Sequence, residues 1–213
     1  MPGQDIAVEN HPLQPFLPEG ASVLFLGSFP PPRARWSMDF FYPNFNNDFW
    51  RIMGLLFFGD RGHFECEGAK RFDKDLIESF CREKGLAFFD TARTVRRLKG
   101  NASDAFLEIV RSSDVPAMLE EIPQCHTIVT TGGKASEELL AIFGRLGCAP
   151  DSTPPVGGSI NVAVPTSGGP RQVTWHRMPS TSRAYPMKLE KKADYYRMID
   201  ALQAPQADSP ENP

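Results

Sequence analysis

The residues best suited to chemistry lie in a stretch rich in aromatic and amide side chains, from residue 40 to residue 47. Tyr42 and Asn47 are its leading candidates, because a tyrosine ring can stack on a planar ligand and an amide can hydrogen-bond the ligand edge or a water molecule. The alternative is that the aromatic residues only pack a helix onto a sheet. The residues alone leave both interpretations open for Tyr42 and Asn47.

A second group of candidates is basic. Arg93, Arg96, Arg97 and Lys99 form the densest basic cluster in the chain, shortly after a predicted strand end at Asp90. Such a cluster can contact phosphates, or it can be an ordinary solvated surface, and the sequence favours neither. The net charge of −3 argues against a protein that coats nucleic acid by charge alone.

Other chemistries lack the spacing that they need. Gly132-Gly133-Lys134 has no upstream glycine at the position that a phosphate-binding loop requires, and Ser180 and Ser182 lie in no nucleophile elbow. The histidines show no metal-binding spacing, so we expect neither a metal nor a cofactor. The cysteines, none in a CxxC pair, are Cys66, Cys81, Cys125 and Cys148.

The elements that must position these residues alternate along the chain. Short apolar runs predict strands at 22–26, 86–89, 127–130 and 173–178, and the spacing of apolar residues and caps predicts helices at 47–57, 73–84, 114–122, 134–143 and 188–202. Alternation of this kind indicates an α/β fold with a parallel sheet covered on both faces. The loops 27–47, 90–101 and 179–186 then meet in one cleft at the carboxyl edge, and 144–170 is a long exposed loop or a small hairpin.

The length of 213 residues fits a single domain. We expect a lead-in over residues 1–20, one domain over 21–202 and a disordered tail over 203–213. We see no apolar segment that would serve as a signal peptide or cross a membrane, and the unclustered cysteines fit reduced thiols. The expectation is therefore a monomeric cytoplasmic protein without membrane contact.

The motifs, taken in order, resemble the uracil-DNA glycosylase superfamily, and most closely its mismatch-specific and hypoxanthine-DNA glycosylase branch. Gly27-Ser28-Phe29-Pro30 resembles the first motif, the stretch from Tyr42 to Trp50 resembles an aromatic loop with an N-x-F-W helix start, and 178–182 resembles the late motif. Residues 85–90 and 131–135 resemble the second and third strands with their exits. The similarity runs from about residue 21 to residue 202.

The resemblance implies a three-layer α/β/α sandwich with a central four-stranded parallel sheet. It also implies a monofunctional DNA glycosylase of base-excision repair, which flips a deaminated or mismatched base such as uracil or hypoxanthine into a pocket and hydrolyses its N-glycosidic bond. Tyr42 would stack on the base. The other substrate-binding residues would be Gly27, Ser28, Phe29, Pro30 and Asn44.

The resemblance further implies that the loop 179–186 approaches the minor groove, with Arg183 or Tyr185 as a wedge into the vacated stack. The partner would be DNA that contains a damaged or mismatched base. The full set of expected DNA contacts is Arg93, Lys134, Pro179, Ser180, Thr181, Ser182, Arg183 and Tyr185.

Two positions depart from the pattern of the superfamily. Phe29 stands where many members place an aspartate or asparagine that holds the attacking water, and Met178 stands where many place a histidine. Asn47 is then the expected catalytic residue, with Asp90 as the second candidate. Two alternatives stay open, namely a catalytically silent nucleic-acid binder of the same fold and a nucleotide-binding α/β domain.

Overall fold

A five-stranded sheet forms the centre of the computed structural model, which describes residues 6–99 and 106–198. Its strands are β2 Val23–Gly27, β3 Leu86–Asp90, β6 Thr127–Thr131, β7 Ser159–Thr166 and β8 Gly169–Met178. They lie in the order β3, β2, β6, β8, β7, of which the first four are parallel and β7 is antiparallel to β8. The predicted α/β class and the four parallel strands are confirmed, and β7 adds a fifth strand.

The extra strand comes from the segment that the sequence left open between a loop and a hairpin. β7 and β8 form a hairpin whose register runs from Ser159 opposite His176 to Thr166 opposite Gly169. β7 buries only alternate residues, Val162 and Val164, so it lies at the edge of the sheet with one face exposed. The hairpin alternative is therefore the correct one.

The helices are found where the apolar spacing predicts them. Asp73 and Asp114 cap two of them, each accepting a hydrogen bond from a backbone N–H three residues later, and Gly59 ends another with φ 67°. The helices are α1 Phe49–Phe58, α2 Lys74–Glu83, α3 Val115–Glu121, α4 Gly133–Arg145 and α5 Leu189–Tyr196. Residues 199–202 of the last predicted helix and the predicted tail 203–213 lie outside the described residues. In the described ranges, no helix combines the length and the apolar character needed to cross a membrane.

The central strands are covered on both faces. Every residue of β2 and β3 is buried. Strands of a sheet with one solvent-exposed face would bury only every second residue. Phe25 stacks on Phe88 with ring centroids 5.2 Å apart, and Phe49 at the start of α1 meets Phe25 edge-on at the same distance. This aromatic core fixes the start of α1 against the sheet, and with it the loop that precedes α1.

A second, three-stranded antiparallel sheet corrects one prediction. β4 (Ala92–Arg97) lies between β1 (Val8–Asn10) and β5 (Leu107–Ser112), so most of the basic cluster is strand and not loop. Val95 and Leu107 pack with Phe29 in a separate apolar cluster. Arg96 and Arg97 are consecutive in β4, so their side chains lie on opposite faces of the small sheet. Arg96 pairs with Glu108, whereas Arg97 lies over the Phe29 ring on the apolar side.

The described part of the predicted lead-in, residues 6–20, pairs with strands of both sheets. β1 pairs with β4, and Phe16 exchanges two backbone hydrogen bonds with Phe88 of β3, at 2.9 and 2.8 Å. The segment that joins these two attachments therefore runs along the carboxyl end of β3.

Candidate active site

A cavity of about 520 Å³ lies at the carboxyl edge of β2, β3 and β6. β2 has β3 on one side and β6 on the other, so the chain reverses its direction of winding here, and ligands bind at such points in open α/β sheets. The predicted site residues that line the cavity are Gly27, Ser28, Phe29, Pro30, Tyr42, Asn44, Asn47, Asp90, Ser180, Thr181 and Ser182. The loops after β2 and β8 thus meet the end of β3 in one cleft.

Tyr42 is held rigidly in the cavity wall. Its ring stacks on Phe49 with centroids 4.0 Å apart and planes 5° apart, and its hydroxyl lies 2.8 Å from Thr131 Oγ1. Its φ of 50° is a left-handed conformation that a non-glycine residue rarely adopts. Burial raises the pKa of the Tyr42 hydroxyl far above its ordinary value, an effect that the hydrogen bond to Thr131 lowers and Asp90 reinforces. Because Phe49 covers one face of this neutral ring, a planar ligand can stack only on the other.

Asn47 joins the aromatic loop to the late motif. Its Oδ1 accepts a hydrogen bond from the backbone N–H of Phe49 at 2.9 Å, which satisfies a donor at the start of α1. Asn47 also forms a bridge with Ser182, and the next N–H, that of Asp48, donates to the Thr181 carbonyl at 2.9 Å. An amide oxygen has a second lone pair, so Asn47 can still hold a water molecule while it caps the helix.

Asp90 and Gly27 occupy paired positions at the ends of β3 and β2. A Cβ at Gly27 would collide with Asp90 Oδ1, so only glycine lets the carboxylate lie against the end of β2. Asp90 is 8% exposed and lines the cavity. This contact is a physical reason for the glycine of the first motif.

Three residues that line or approach the cavity were not found by sequence reasoning. His11 places Nε2 2.9 Å from Asp90 Oδ2, and Thr131 binds the Tyr42 hydroxyl. Arg35 lies exposed in a short 3-10 turn, Arg33–Arg35, and lines the cavity. Among the described residues, no carboxylate lies within ion-pair distance of Arg35. Arg35 follows three prolines and belongs to no motif that could be recognised in the sequence. Thr131, in contrast, comes directly after a predicted strand, and this position could have identified it.

Phe29 and Met178, the two departures from the superfamily pattern, are apolar and buried. Phe29 packs against β4 and β5, and the guanidinium of Arg97 lies 5.4 Å from its ring centroid. Arg97 also donates to the Pro30 carbonyl at 2.6 Å. Met178 is 1% exposed. The small sheet therefore holds the first motif in place, and neither departing side chain offers a polar group.

The loop after β8, which carries the late motif, is anchored by α5. Lys192, which is fully buried, donates to Asp48 Oδ2 at 2.8 Å and to the Ser182 carbonyl at 2.7 Å. The Tyr196 hydroxyl donates to the Pro179 carbonyl at 2.8 Å. Arg183 approaches the other oxygen of Asp48 at 3.3 Å and keeps about half of its side chain exposed.

Several predicted DNA contacts do not line the cavity. Arg93, on β4, donates to Gln14 at 3.3 Å, and Lys134 lies in the first turn of α4. Tyr185 is half-buried, and its ring centroid lies 6.0 Å from Lys192 Nζ. The ones that lie outside the cavity wall are Arg93, Lys134, Pro179, Arg183 and Tyr185. In the part of the chain that the structure describes, no cluster of three or more His, Cys, Asp or Glu residues could hold a metal ion.

The fold is that of an α/β protein, with a cavity at the carboxyl edge of its parallel strands. A similar fold is found in a solution NMR structure from Methanosarcina acetivorans that is provisionally described as a uracil DNA glycosylase. The two share 17% sequence identity and superpose with a TM-score of 0.57, over 91% of this chain and 99% of the other. At this identity the likeness establishes the fold. No protein-family model and no curated protein matches the sequence.

Proposed function

We propose that this protein is a monofunctional DNA glycosylase that removes a deaminated or mismatched base from DNA. The observation that carries the proposal is the cavity in which a fixed tyrosine ring, Tyr42, shares one strand edge with Asn47 and Asp90. Its volume lies within the range of about 300–1,000 Å³ that is usual for small-molecule sites. The fold shared with a provisional uracil DNA glycosylase supports the same class.

The cavity supplies what a flipped base requires. The open face of Tyr42 stacks on the base, while backbone groups of residues 27–30 and the amide of Asn44 bind its edge. Phe29 and Phe41 add apolar surface to the cavity wall. Uracil and hypoxanthine, which present both donors and acceptors on a flat ring, fit such a wall.

The reaction needs a water molecule behind the sugar C1′ and a group that accepts its proton. Asn47 and Asp90 are the proposed holders of that water. The bond between C1′ and the base nitrogen breaks, and the base leaves with the bonding electron pair. The water oxygen bonds to C1′ as its proton passes to the Asp90 carboxylate.

The DNA backbone would approach the cavity mouth between the turn at Arg35 and the loop after β8. Arg35 has no acidic partner among the described residues, and Arg183 is half exposed, so both can reach phosphates. Arg183 or Tyr185 would enter the vacated stack. Arg93, Lys134 and the residues 179–182 are the remaining proposed contacts.

A single-turnover cleavage assay tests the proposed function. Labelled duplexes would contain uracil, hypoxanthine, xanthine or a G:T mismatch, and alkali would reveal abasic sites. Cleavage of any of them would support a glycosylase and identify the base. Binding without cleavage would favour a catalytically silent DNA binder, the second candidate, which the apolar side chains at Phe29 and Met178 support.

The replacement of Tyr42 by alanine should weaken binding of a duplex that carries the target base. Loss of a base-stacking ring costs about 1–3 kcal/mol of binding free energy. Tyr42→Phe keeps the ring and loses only the hydrogen bond to Thr131, so its affinity should stay near that of the wild type. Equal affinities for Tyr42→Ala and the wild type, measured by fluorescence anisotropy, would count against this pocket.

The replacement of Asn47 should slow cleavage while leaving binding intact. Without the amide the attacking water is no longer held, and misplacement of a reacting group can cost roughly 100-fold in rate. Asn47→Ala also loses the bond to the Phe49 N–H, at about 1 kcal/mol, whereas Asn47→Ser retains an oxygen that can cap. We expect both variants to be slow and only Asn47→Ala to melt earlier. A fast Asn47→Ser enzyme would remove Asn47 from the mechanism.

A further inference from the structure

The segment between β1 and Phe16 brings a histidine against Asp90, which lines the cavity. The His11 side chain is fully buried, and its Nε2 lies 2.9 Å from Asp90 Oδ2. Three phenylalanine rings surround it, with ring centroids 4.5 Å away for Phe89, 5.3 Å for Phe29 and 6.2 Å for Phe41. The His11 ring therefore has little room to turn. Among the residues that the structure describes, its only carboxylate partner is Asp90, which lines the cavity.

The backbone delivers His11 to this position. Its N–H donates to the Arg93 carbonyl at 2.8 Å, which continues the pairing of β1 with β4 by one residue. Leu13, two residues later, lines the same cavity. The contact between His11 and Asp90 is thus fixed by two strands and is not a chance approach of a loose segment.

The contacts of the other ring nitrogen, Nδ1, leave a proton on Nε2 whether the ring is neutral or charged. Nδ1 lies 3.0 Å from the Leu13 carbonyl oxygen and 3.1 Å from the Leu13 nitrogen. In a neutral ring Nδ1 accepts from the Leu13 N–H, and in a charged ring it donates to the Leu13 carbonyl. In both cases the Nε2–H is left to donate to Asp90 Oδ2.

We infer that His11 is a positioning residue that orients the Asp90 carboxylate for its role toward the attacking water, an inference that rests on the proposed function. The Nε2–H holds Oδ2, while Oδ1 lies against the end of β2 at Gly27. With both oxygens fixed, the plane of the carboxylate is set before the substrate binds. An orienting partner of this kind acts on the rate and not on affinity for DNA.

Substitution of His11 tests this role. His11→Leu removes the donor, whereas His11→Gln keeps an N–H at about the position of Nε2. In single-turnover assays we expect His11→Leu to be slower than the wild type by about tenfold or more and His11→Gln by less than about threefold. Dissociation constants for the substrate duplex should stay within about twofold for both.

Two further variants separate positioning from a general effect on the fold. Asn10→Ala weakens the pairing of β1 with β4, because it removes the partner of Thr94 Oγ1, but it does not touch Asp90, so its rate should match the wild type. In an Asp90→Asn background, His11→Leu should cause no additional loss of rate, since the carboxylate that His11 orients is then no longer there to take the proton. A melting curve for each variant confirms that it is folded.

The outcomes distinguish this inference from the proposed function. A wild-type enzyme that cleaves and a His11→Leu variant that is equally fast would overturn the role of His11 alone. An additional loss in the Asp90→Asn background, or an equal loss in Asn10→Ala, would also overturn it. A wild type that cleaves none of the duplexes overturns the proposed function, and the positioning role with it. If His11→Leu does not fold, His11→Asn replaces it, because its shorter side chain does not bring an N–H to the position of Nε2. A loss of about tenfold or more is then expected, and a rate equal to that of His11→Gln would overturn the role.

Discussion

Asp90→Asn is expected to reduce the single-turnover cleavage rate by about 10²–10⁴-fold, the usual contribution of a general acid or base. The substitution keeps the size of the side chain, so it fits against Gly27, and an amide oxygen can still accept the hydrogen bond from His11. It removes the ability to take a proton from the attacking water. The affinity for the substrate duplex, measured by anisotropy, should therefore change little while the rate falls.

A matched substitution controls for the change of charge. Asp73→Asn replaces another aspartate far from the cavity, at the start of α2, where asparagine caps a helix equally well. Its rate should equal that of the wild type. Should Asp90→Asn cleave at the wild-type rate while Asn47→Ser is slow, the water would be held by Asn47 alone, and the carboxylate would have only a structural part.

The central sheet was predictable because each of its parallel strands has a recognisable local sequence pattern. The run 127–130 is β-branched, and 86–89 is apolar between a glycine and an aspartate, so each indicates a buried strand without reference to any other segment. Their parallel pairing then follows from the helices between them. The edge strand β7 gave a weaker signal, since only Val162 and Val164 of its eight residues are buried.

The strand β4 shows where local patterns fail. Its arginines suggest a solvated loop, yet Val95 among them packs on Leu107 and on Phe29, which lies more than sixty residues earlier in the chain. Arg97 is likewise held by Glu9 and by the Pro30 carbonyl. The strand is therefore stabilised by residues that lie too far away in the sequence for a local pattern to reveal them.

The residues of the candidate site also fall into two groups, those that a local motif identifies and those that only the fold identifies. Residues that belong to short motifs, such as Gly27, Tyr42 and Asn47, could be named from the sequence, and the structure brings them to one cavity. His11 could not be identified from the sequence, because its proposed role depends on its contact with Asp90, which lies 79 residues away. A lone histidine in a polar, proline-containing segment has no spacing to interpret, and only the fold supplies its partner.

Lys192→Met is expected to lower the free energy of unfolding by about 3–5 kcal/mol, the typical cost of breaking a buried ion pair. Lys192 is fully buried and holds both Asp48 and the Ser182 carbonyl. Methionine fills much of the space and leaves the buried Asp48 carboxylate with Arg183, at 3.3 Å, as its remaining cation. Because Arg183 is half exposed and its pairing is screened by water, it offsets only part of the loss. Urea denaturation measures the difference.

The neighbouring Lys191 provides the control, because it is exposed on the same helix. Lys191→Met removes the same charge and should change the stability by no more than about 0.5 kcal/mol. In an Asp48→Asn background, Lys192→Met should cost much less than it does alone, since no buried charge is then left unpaired. A loss below about 1 kcal/mol for Lys192→Met in the wild-type background would mean that Arg183 neutralises Asp48 by itself. Since Lys192 also holds Ser182, which bridges to Asn47, a folded Lys192→Met protein should bind the substrate duplex more weakly than Lys191→Met does.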